Sequence, residues 1–396
     1  MESLAAEFHR LNCNSIVITR AVQDRPLVAR RRGVTVYSVP VFGPKPLRSA
    51  AFRIASSMLI ILFRKRYDVI HAHSLDSPAV VAAVMGGLLG KPVFISIHNT
   101  GKVEALTRRF MGKTILRILV SGCRSMISIN SKISTELSRA GCPPGKITFL
   151  PNGVDTGLFC EATDEEVHRE RAAIGVRGKT VYLFVGNLHD QKGVDTLLRA
   201  WSRFERDTAM GRAVLLIIGD GALFSELKRL TVHLGLTSSV HFLGMRDDIH
   251  RYLKISDVFV QPSRWEGLSI ALLEALASSS AVIATPVGGT AEIIREGSNG
   301  LIVPVDDEAA LANKMKVLFY DMDLRKKIGR SARETVLERY SLKRCAAKHL
   351  ELFSGSMEKG GSGVEVGSIT EDRTASLERY EPPPEKETEA LSGIIP

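Results

Sequence analysis

Long apolar runs are missing from this 396-residue sequence. Its longest, SSMLIILF and AVVAAVMGGLLG, fall well short of the roughly 20 residues that a membrane-spanning helix needs, which excludes an integral membrane protein of the helical kind. The opening MESLAAEFHR has neither the basic first segment nor the apolar core of a secretory signal, so a cytoplasmic location is the expectation. Cysteine is scarce as well. Cys13, Cys123, Cys142, Cys160 and Cys345 stand far apart with no paired spacing, which removes a disulfide framework and a zinc site; all five are expected to be free thiols.

What is present is charge of one sign, unevenly placed. Residues 1–124 carry 19 Lys and Arg against 6 Asp and Glu, a net +13, whereas residues 355–396 carry 4 against 9, a net −5. Such a basic first half suits an anionic surface, whether membrane, nucleic acid or phosphorylated substrate, as well as it suits a merely solvated face. With 44% hydrophobic residues, the chain has enough apolar material for two packed cores.

Short β-branched runs recur along the chain, separated by longer segments of helical period. SIVITR, VTVYSVPV, DVIHAH, VFISIHN, MISIN and ITFLPNG form a first series; VYLFVGNL, AVLLIIGDG, VHFLG, DVFVQPS, AVIATPVGG and GLIVPV form a second. Strands that are apolar throughout and alternate with helices belong to parallel sheets covered on both faces. The expectation is therefore an α/β protein of two doubly wound, Rossmann-like domains facing across a cleft. Their expected bounds are 1–165 and 170–338, with the polar stretch CEATDEEVHRERAAIGVRG between the two series. Beyond Phe353 the composition turns to Gly, Ser, Glu, Pro and Thr, and residues 354–396 are expected to form a disordered acidic tail.

In open parallel sheets, ligands gather beyond the carboxyl ends of the strands, and three constellations sit there. In SRWEGLSIALLEALA a strand ends at Ser263 and a helix is expected to start near Ser269, a residue able to cap it. Glu266 then lies in the loop and Glu274 inside the helix, so the two carboxylates reach different parts of one elongated ligand. Between them, the amides of Gly267, Leu268 and Ser269 at the positive helix end seat a phosphate. The same two glutamates also fit an exposed loop and an exposed helix face. In FVGNLHDQKG a buried strand ends in Gly186, and Lys192-Gly193 opens the next helix; the arrangement binds phosphate or belongs to an ordinary loop. In VFISIHNTG, His98 ends a strand and points into the cleft, where it can meet a sugar hydroxyl or a developing charge.

Three further features are set aside. His71 and His73 in DVIHAHS have the look of a metal pair without a third ligand, and core or supporting roles are expected of them. DMD at 321–323 lies between helical segments and is expected to cap a helix. GDG at 219–221 lacks the third glycine and the acidic partner of a dinucleotide fingerprint.

Taken in order, DVIHAH, ISIHN, LPNGVDTGLF, VGNLHDQKG, LLIIGDGALFSELKRL, VHFLG, ISDVFVQPSRWEGLSIALLEALA and TPVGGTAEII…GSNGLIVP resemble the family 4 retaining glycosyltransferases of the GT-B fold across residues 1–353. The resemblance implies a hexose donor, a UDP- or GDP-sugar, held mainly by the second domain, and a glycan or lipid-linked acceptor held mainly by the first. It implies that Glu266 contacts hydroxyls of the donor sugar, that Glu274 holds the ribose, and that Lys192 meets the diphosphate beside Gly186 and Asn187. His98 is implied to approach the donor sugar near the reacting carbon. No cofactor and no metal is implied: Lys192 and the helix-end amides stabilise the leaving diphosphate of an oxocarbenium-like displacement. The segment SLKRCAAKHLELF, within 339–353, is implied to cross back to the first domain, and closure of the two domains to exclude water.

The chain departs from the family at Asn187, where arginine is usual, and at Ser279 and Ala281, where Gly and Pro are common. It also begins in what reads as the helix following the family's first strand and Gly-rich loop. Two alternatives accordingly stand beside the transferase reading: a catalytically impaired partner or binding subunit of the same fold, and a sugar-nucleotide epimerase of similar fold. The segments LRSAAFRIASSMLIILFRKRYD and GKVEALTRRFMGKTILRILV combine cations with apolar faces. That suits peripheral contact with the inner face of the membrane or an ordinary buried face; nucleic acid is not an expected partner.

Overall fold

The computed structural model describes residues 2–21, 26–208 and 211–357. The first half runs α1 (Glu2–Arg10), β1 (Ile16–Arg20), β2 (Val28–Arg31), β3 (Val34–Val39), α2 (Lys45–Leu62), β4 (Ile70–His73), α3 (Ser77–Leu89) and β5 (Val93–Ile97). It continues with α4 (Lys102–Thr107), α5 (Gly112–Gly122), β6 (Ser125–Ser128), α6 (Ser131–Arg139) and β7 (Ile147–Phe149). The second half runs α7 (Asp164–Ala173), β8 (Thr180–Val185), α8 (Val194–Asp207), β9 (Ala213–Ile218), α9 (Phe224–His233), β10 (Val240–Gly244), α10 (Ile249–Ile255) and β11 (Val258–Gln261). Then follow α11 (Ile270–Ala277), β12 (Ala281–Ala284), α12 (Thr290–Ile293), β13 (Leu301–Ile302), α13 (Glu308–Tyr320), α14 (Met322–Arg339) and α15 (Leu342–Met357).

All twelve expected runs form strands. Those of the second series pair in one parallel sheet, in the order β10-β9-β8-β11-β12-β13. β9 buries all six of its residues, as a strand must when helices cover both faces. From β8 the chain winds outward through β9 and β10, then returns to start again at β11 on the other side. The order therefore reverses between β8 and β11, and their carboxyl ends flank the crevice where such sheets take ligands.

The first half distributes its strands over two ladders. Its strands divide into a parallel set, β4-β5-β6-β7, and a separate set, β1-β3-β2. No ladder joins β1 to β4 among the described residues, although Ile18 of β1 and Ile70 of β4 pack on one cluster with Ile60, Val81 and Met85. β2 is not among the expected strands. It is a half-exposed antiparallel partner of β3, folded back by Arg32 and Gly33, whose φ angles of 48° and 83° match the twist of a tight hairpin.

The halves are joined twice. The chain leaves the first half after β7 and returns at α15, and where the two segments pass, Val154 N donates to Tyr340 O (2.9 Å) and Leu342 N donates to Val154 O (2.8 Å). α15 packs on α1, with Phe8, Phe94 and Phe353 in one cluster. It runs to Met357, so the expected helix end at 353 falls inside it. The acidic tail expected over 354–396 lies, from residue 358 on, outside the described residues. Another apolar cluster is shared by the halves, with Ile95 and Ile129 from the first and Leu268 and Leu272 from the second. Among the described residues no helix is long and apolar enough to cross a membrane; the five cysteines are free.

Candidate active site

Because β8 and β11 are neighbours, the loops that follow them meet, although they are 74 residues apart in sequence. Lys192 ends a short 3-10 turn, Asp190–Lys192, after β8. Glu266 sits in the loop after β11, only 7% exposed. Lys192 Nζ donates to Glu266 Oε1 in a buried ion pair, and Ser263 Oγ donates to the same oxygen (2.9 Å). Gly193 follows Lys192 with φ +61°, and a Cβ there would lie 2.2 Å from the Pro262 carbonyl oxygen, so only glycine lets the two loops close. Gly186 ends β8 within the same fold of chain; a Cβ on it would lie 3.4 Å from Lys192 Cε. Asn187, next to it, is exposed.

Glu266 leads straight into the start of α11. Ser269 caps that helix as its sequence position suggests, its Oγ accepting from Leu272 N (3.3 Å). Leu268 is buried. The Gly267 backbone is pressed against the first half: a Cβ there would lie 2.1 Å from the His98 carbonyl oxygen. Its own carbonyl accepts from Asn130 Nδ2 (2.8 Å) and from Gly289 N (2.7 Å). Thr100 Oγ1 donates to the Glu266 carbonyl (3.0 Å). The Gly288-Gly289 turn after β12 is thereby explained, since any side chain at Gly288 (φ +53°) would strike the Glu266 and Gly267 carbonyls.

His98 stands at the end of β5, stacked on His73 from the end of β4 (ring centroids 5.2 Å apart), and His73 Nδ1 and His98 Nε2 share a hydrogen bond of 3.0 Å. His71 pairs with Ser96 Oγ (2.7 Å), and His349 of α15 lies 5.5 Å from the His71 ring. Burial pushes all four imidazoles below their ordinary range, His98 to about 4. They are neutral at pH 7. His73, His98, Asn152 and His349 line a cavity of about 130 Å³ whose other wall includes Ile270, the first residue of α11. A neutral imidazole from the first half thus shares a cavity with the helix start of the second. No three His, Cys, Asp or Glu side chains converge as ion ligands among the described residues, so His71 and His73 support His98 and the core. Farther along α11, burial alone raises the Glu274 carboxyl to about 7. DMD behaves as a cap, with Asp321 Oδ1 accepting from Leu324 N (2.8 Å).

Sequence reasoning passed over Arg264. Its guanidinium meets Asp190 Oδ1 (2.9 Å), Asp195 Oδ2 (2.8 Å) and Asp306 Oδ1 (2.9 Å). Its backbone N donates to Gln191 O (2.8 Å). It therefore staples the Lys192 turn to the Glu266 loop. Asp190 and Asp195 flank the start of α8 whereas Asp306 precedes α13, and nothing in linear spacing marks the three as a set. Glu292 was passed over too: its Oε1 accepts from both N and Oγ of Ser131 (2.7 Å each), capping α6 from across the cleft.

With that geometry in view, comparison with known proteins is decisive. Residues 166–335 match the profile of the glycosyl transferases group 1, and residues 1–158 that of Glycosyltransferase Family 4. An uncharacterised glycosyltransferase of Methanocaldococcus jannaschii is 31% identical over 88% of this chain and 92% of its own length. The chain is a family 4, group 1 glycosyltransferase. A second relative, the UDP-Gal:alpha-D-GlcNAc-diphosphoundecaprenol alpha-1,3-galactosyltransferase of Escherichia coli, is 26% identical over 65% of this chain and 68% of its own. Among solved structures, Anabaena HepE in complex with UDP and glucose superposes on this glycosyltransferase with a TM-score of 0.75 at 20% identity, covering 89% of this chain and 94% of its own, which establishes the GT-B fold.

Proposed function

We propose that this glycosyltransferase moves a hexosyl group from a UDP- or GDP-sugar to a glycan or lipid-linked acceptor, with retention of anomeric configuration. The observation that carries the reading is the Lys192–Glu266 contact at the start of α11, at the point where strand order reverses and opposite His98. The diphosphate rests on the amides of Gly267, Leu268 and Ser269, flanked by Gly186 and Asn187, and Lys192 turns from Glu266 to its oxygens. Glu274 holds the ribose, and Glu266, released from the lysine, accepts hydrogen bonds from sugar hydroxyls. The bond from C1 to the diphosphate oxygen breaks while the acceptor oxygen bonds to C1 on the same face. The acceptor proton passes to the departing phosphate, whose charge Lys192 and the helix end stabilise. His98, kept neutral by burial, meets the sugar without placing a cation beside an oxocarbenium-like centre. The reaction so written uses no cofactor and no divalent ion, and turnover undiminished by EDTA is the expected result.

The named activity of the E. coli relative and the ligands of HepE support a nucleotide-sugar donor and a lipid-linked acceptor. Thermal-shift measurements with a panel of nucleotide sugars identify the donor, and its turnover is then compared with that of Glu266→Ala. The variant is expected to lose about 100-fold or more in kcat. Equal turnover by the two proteins overturns the assignment.

A further inference from the structure

Between Asp24 and Asp68, and again between Glu104 and Glu136, the sequence has no acidic residue. The fold brings these two stretches together, because α3 packs against α2 on one flank and α5 on the other. α2 turns Phe52 and Ile60 inward, yet a second apolar stripe, Ile54, Met58 and Leu62, faces out at helical spacing. Val84 and Leu88 of α3 and Ile115 and Ile118 of α5 are exposed alongside it. Exposed cations surround these side chains: Arg53 on α2, Lys113 and Arg117 on α5, and Arg109 just before it. Of the acids that bound the two stretches within the described residues, Asp68 and Glu104 are paired with Lys91 (3.8 Å) and Arg108 (2.5 Å), and Glu136 accepts from Gly101 N (2.8 Å).

At the amino end of α5 the same face carries its most conspicuous residues. Phe110 is 94% exposed. Met111 follows in the left-handed region (φ +59°), which costs a side-chain-bearing residue roughly 1–2 kcal/mol. Gly112 is drawn so close to the Leu106 carbonyl that a Cβ would lie 1.8 Å from its oxygen. The chain is bent there with two apolar side chains held out in water. α5 starts on the side of the β5 carboxyl end, where His98 marks the cleft, so Phe110 and Met111 stand at the cleft end of the layer.

We propose that the α2–α3–α5 face docks the protein on a bilayer bearing anionic headgroups. The exposed aliphatic and aromatic side chains enter the headgroup boundary and the flanking Arg and Lys pair with lipid phosphates. A surface both apolar and of one charge complements such a bilayer, and the placement of Phe110 and Met111 brings the mouth of the cleft down to the headgroups. The proposal rests on the lipid-linked acceptor suggested above and names the surface through which such an acceptor is reached.

Co-sedimentation of the full chain with vesicles of phosphatidylcholine alone, or with roughly a third phosphatidylglycerol, at low and high salt, tests it. Binding is expected to the anionic vesicles at low salt and to fall at high salt, where surface charge is screened. Lys113→Gln/Arg117→Gln should lower partitioning roughly thirty-fold, and Ile54→Ser/Met58→Ser roughly tenfold or more. Val232→Ser/Met245→Ser, exposed in the second half, should leave it unchanged. All six positions are exposed, and unchanged circular dichroism confirms folding. No binding to anionic vesicles at low salt overturns the proposal, as does binding of both helix variants equal to that of the parent chain. Dimerisation that needs Phe110, without vesicle binding, assigns the face to a second copy and overturns it as well. Nucleotide binding measured without vesicles separates the two readings: its persistence when docking fails leaves glycosyl transfer standing, and its loss when docking holds does the reverse.

Discussion

The two halves follow one βα plan and differ in how completely they execute it. The second half closes six strands into a continuous parallel sheet, and the side-chain ion pairs that join Lys192, Glu266 and Arg264 to their partners all lie within it. The first half is split between two sheets, and it carries fifteen of the twenty-four large apolar side chains that are exposed among the described residues, fourteen of them before residue 120. The half with the continuous sheet holds the charged machinery; the other presents surface and contributes His98 from a strand end.

That contrast can be broken at Arg264. Arg264→Met removes the staple from the second half and leaves Asp190, Asp195 and Asp306 facing one another. About 2–3 kcal/mol of stability should be lost, and the KM for donor should rise as Lys192 loses its position; urea unfolding and steady-state kinetics report the two effects. Unchanged values would mean that the second half does not depend on its own charge network for order.

Acidity should then separate the halves with opposite signs. His71, His73, His98 and His349 have folded pKa values below those of the unfolded chain. Their contribution is fully present above about pH 6.5 and is lost as pH falls through the folded values, that of His98 lying at about 4. Glu274 is raised to about 7, so its contribution is present below about pH 4.5 and is lost as pH rises through 7. Hydrogen exchange, which follows each half separately, should show β4 and β5 opening more readily at pH 5 than at pH 7.5, while Glu274→Gln flattens the pH response around β11. Equal acid response in both halves contradicts the assignment of the shifts.

The smallest effect concerns Ser279. It holds φ +60° after α11, at the position where the family commonly has glycine. Ser279→Gly should stabilise the second half by roughly 1 kcal/mol, read as a raised melting temperature. A lowered one would show that the serine hydroxyl compensates the strained backbone.

Much of this was legible in the residues. Runs such as VYLFVG and AVLLIIG announce buried strands because only a sheet covered on both faces tolerates unbroken apolar sequence. Their order places the ends of β8 and β11 together, and with them Lys192 and Glu266. Ser269 is readable as a cap from its place before an apolar period. The split of the first sheet was not legible, since pairing between β1 and β4 depends on spatial neighbours that no local pattern encodes. Arg264 escaped notice because its three aspartates converge only after the sheet is wound, and the bond between His73 and His98 belongs to register between adjacent strands. Asn130 caps α6 through Ile133 N, and its donation to Gly267 requires the halves to have met.

The crossing at Val154 and Leu342 bears on motion. A single linker between two bodies would permit swivelling in any direction; here two segments of polypeptide, hydrogen-bonded side by side, form a pair of tethers that resist twisting and sideways slip. Rotation about the line through both tethers is the movement they leave, and it would carry His98 away from the start of α11 only by breaking the bonds that Thr100, Asn130 and Ser131 make across the cleft.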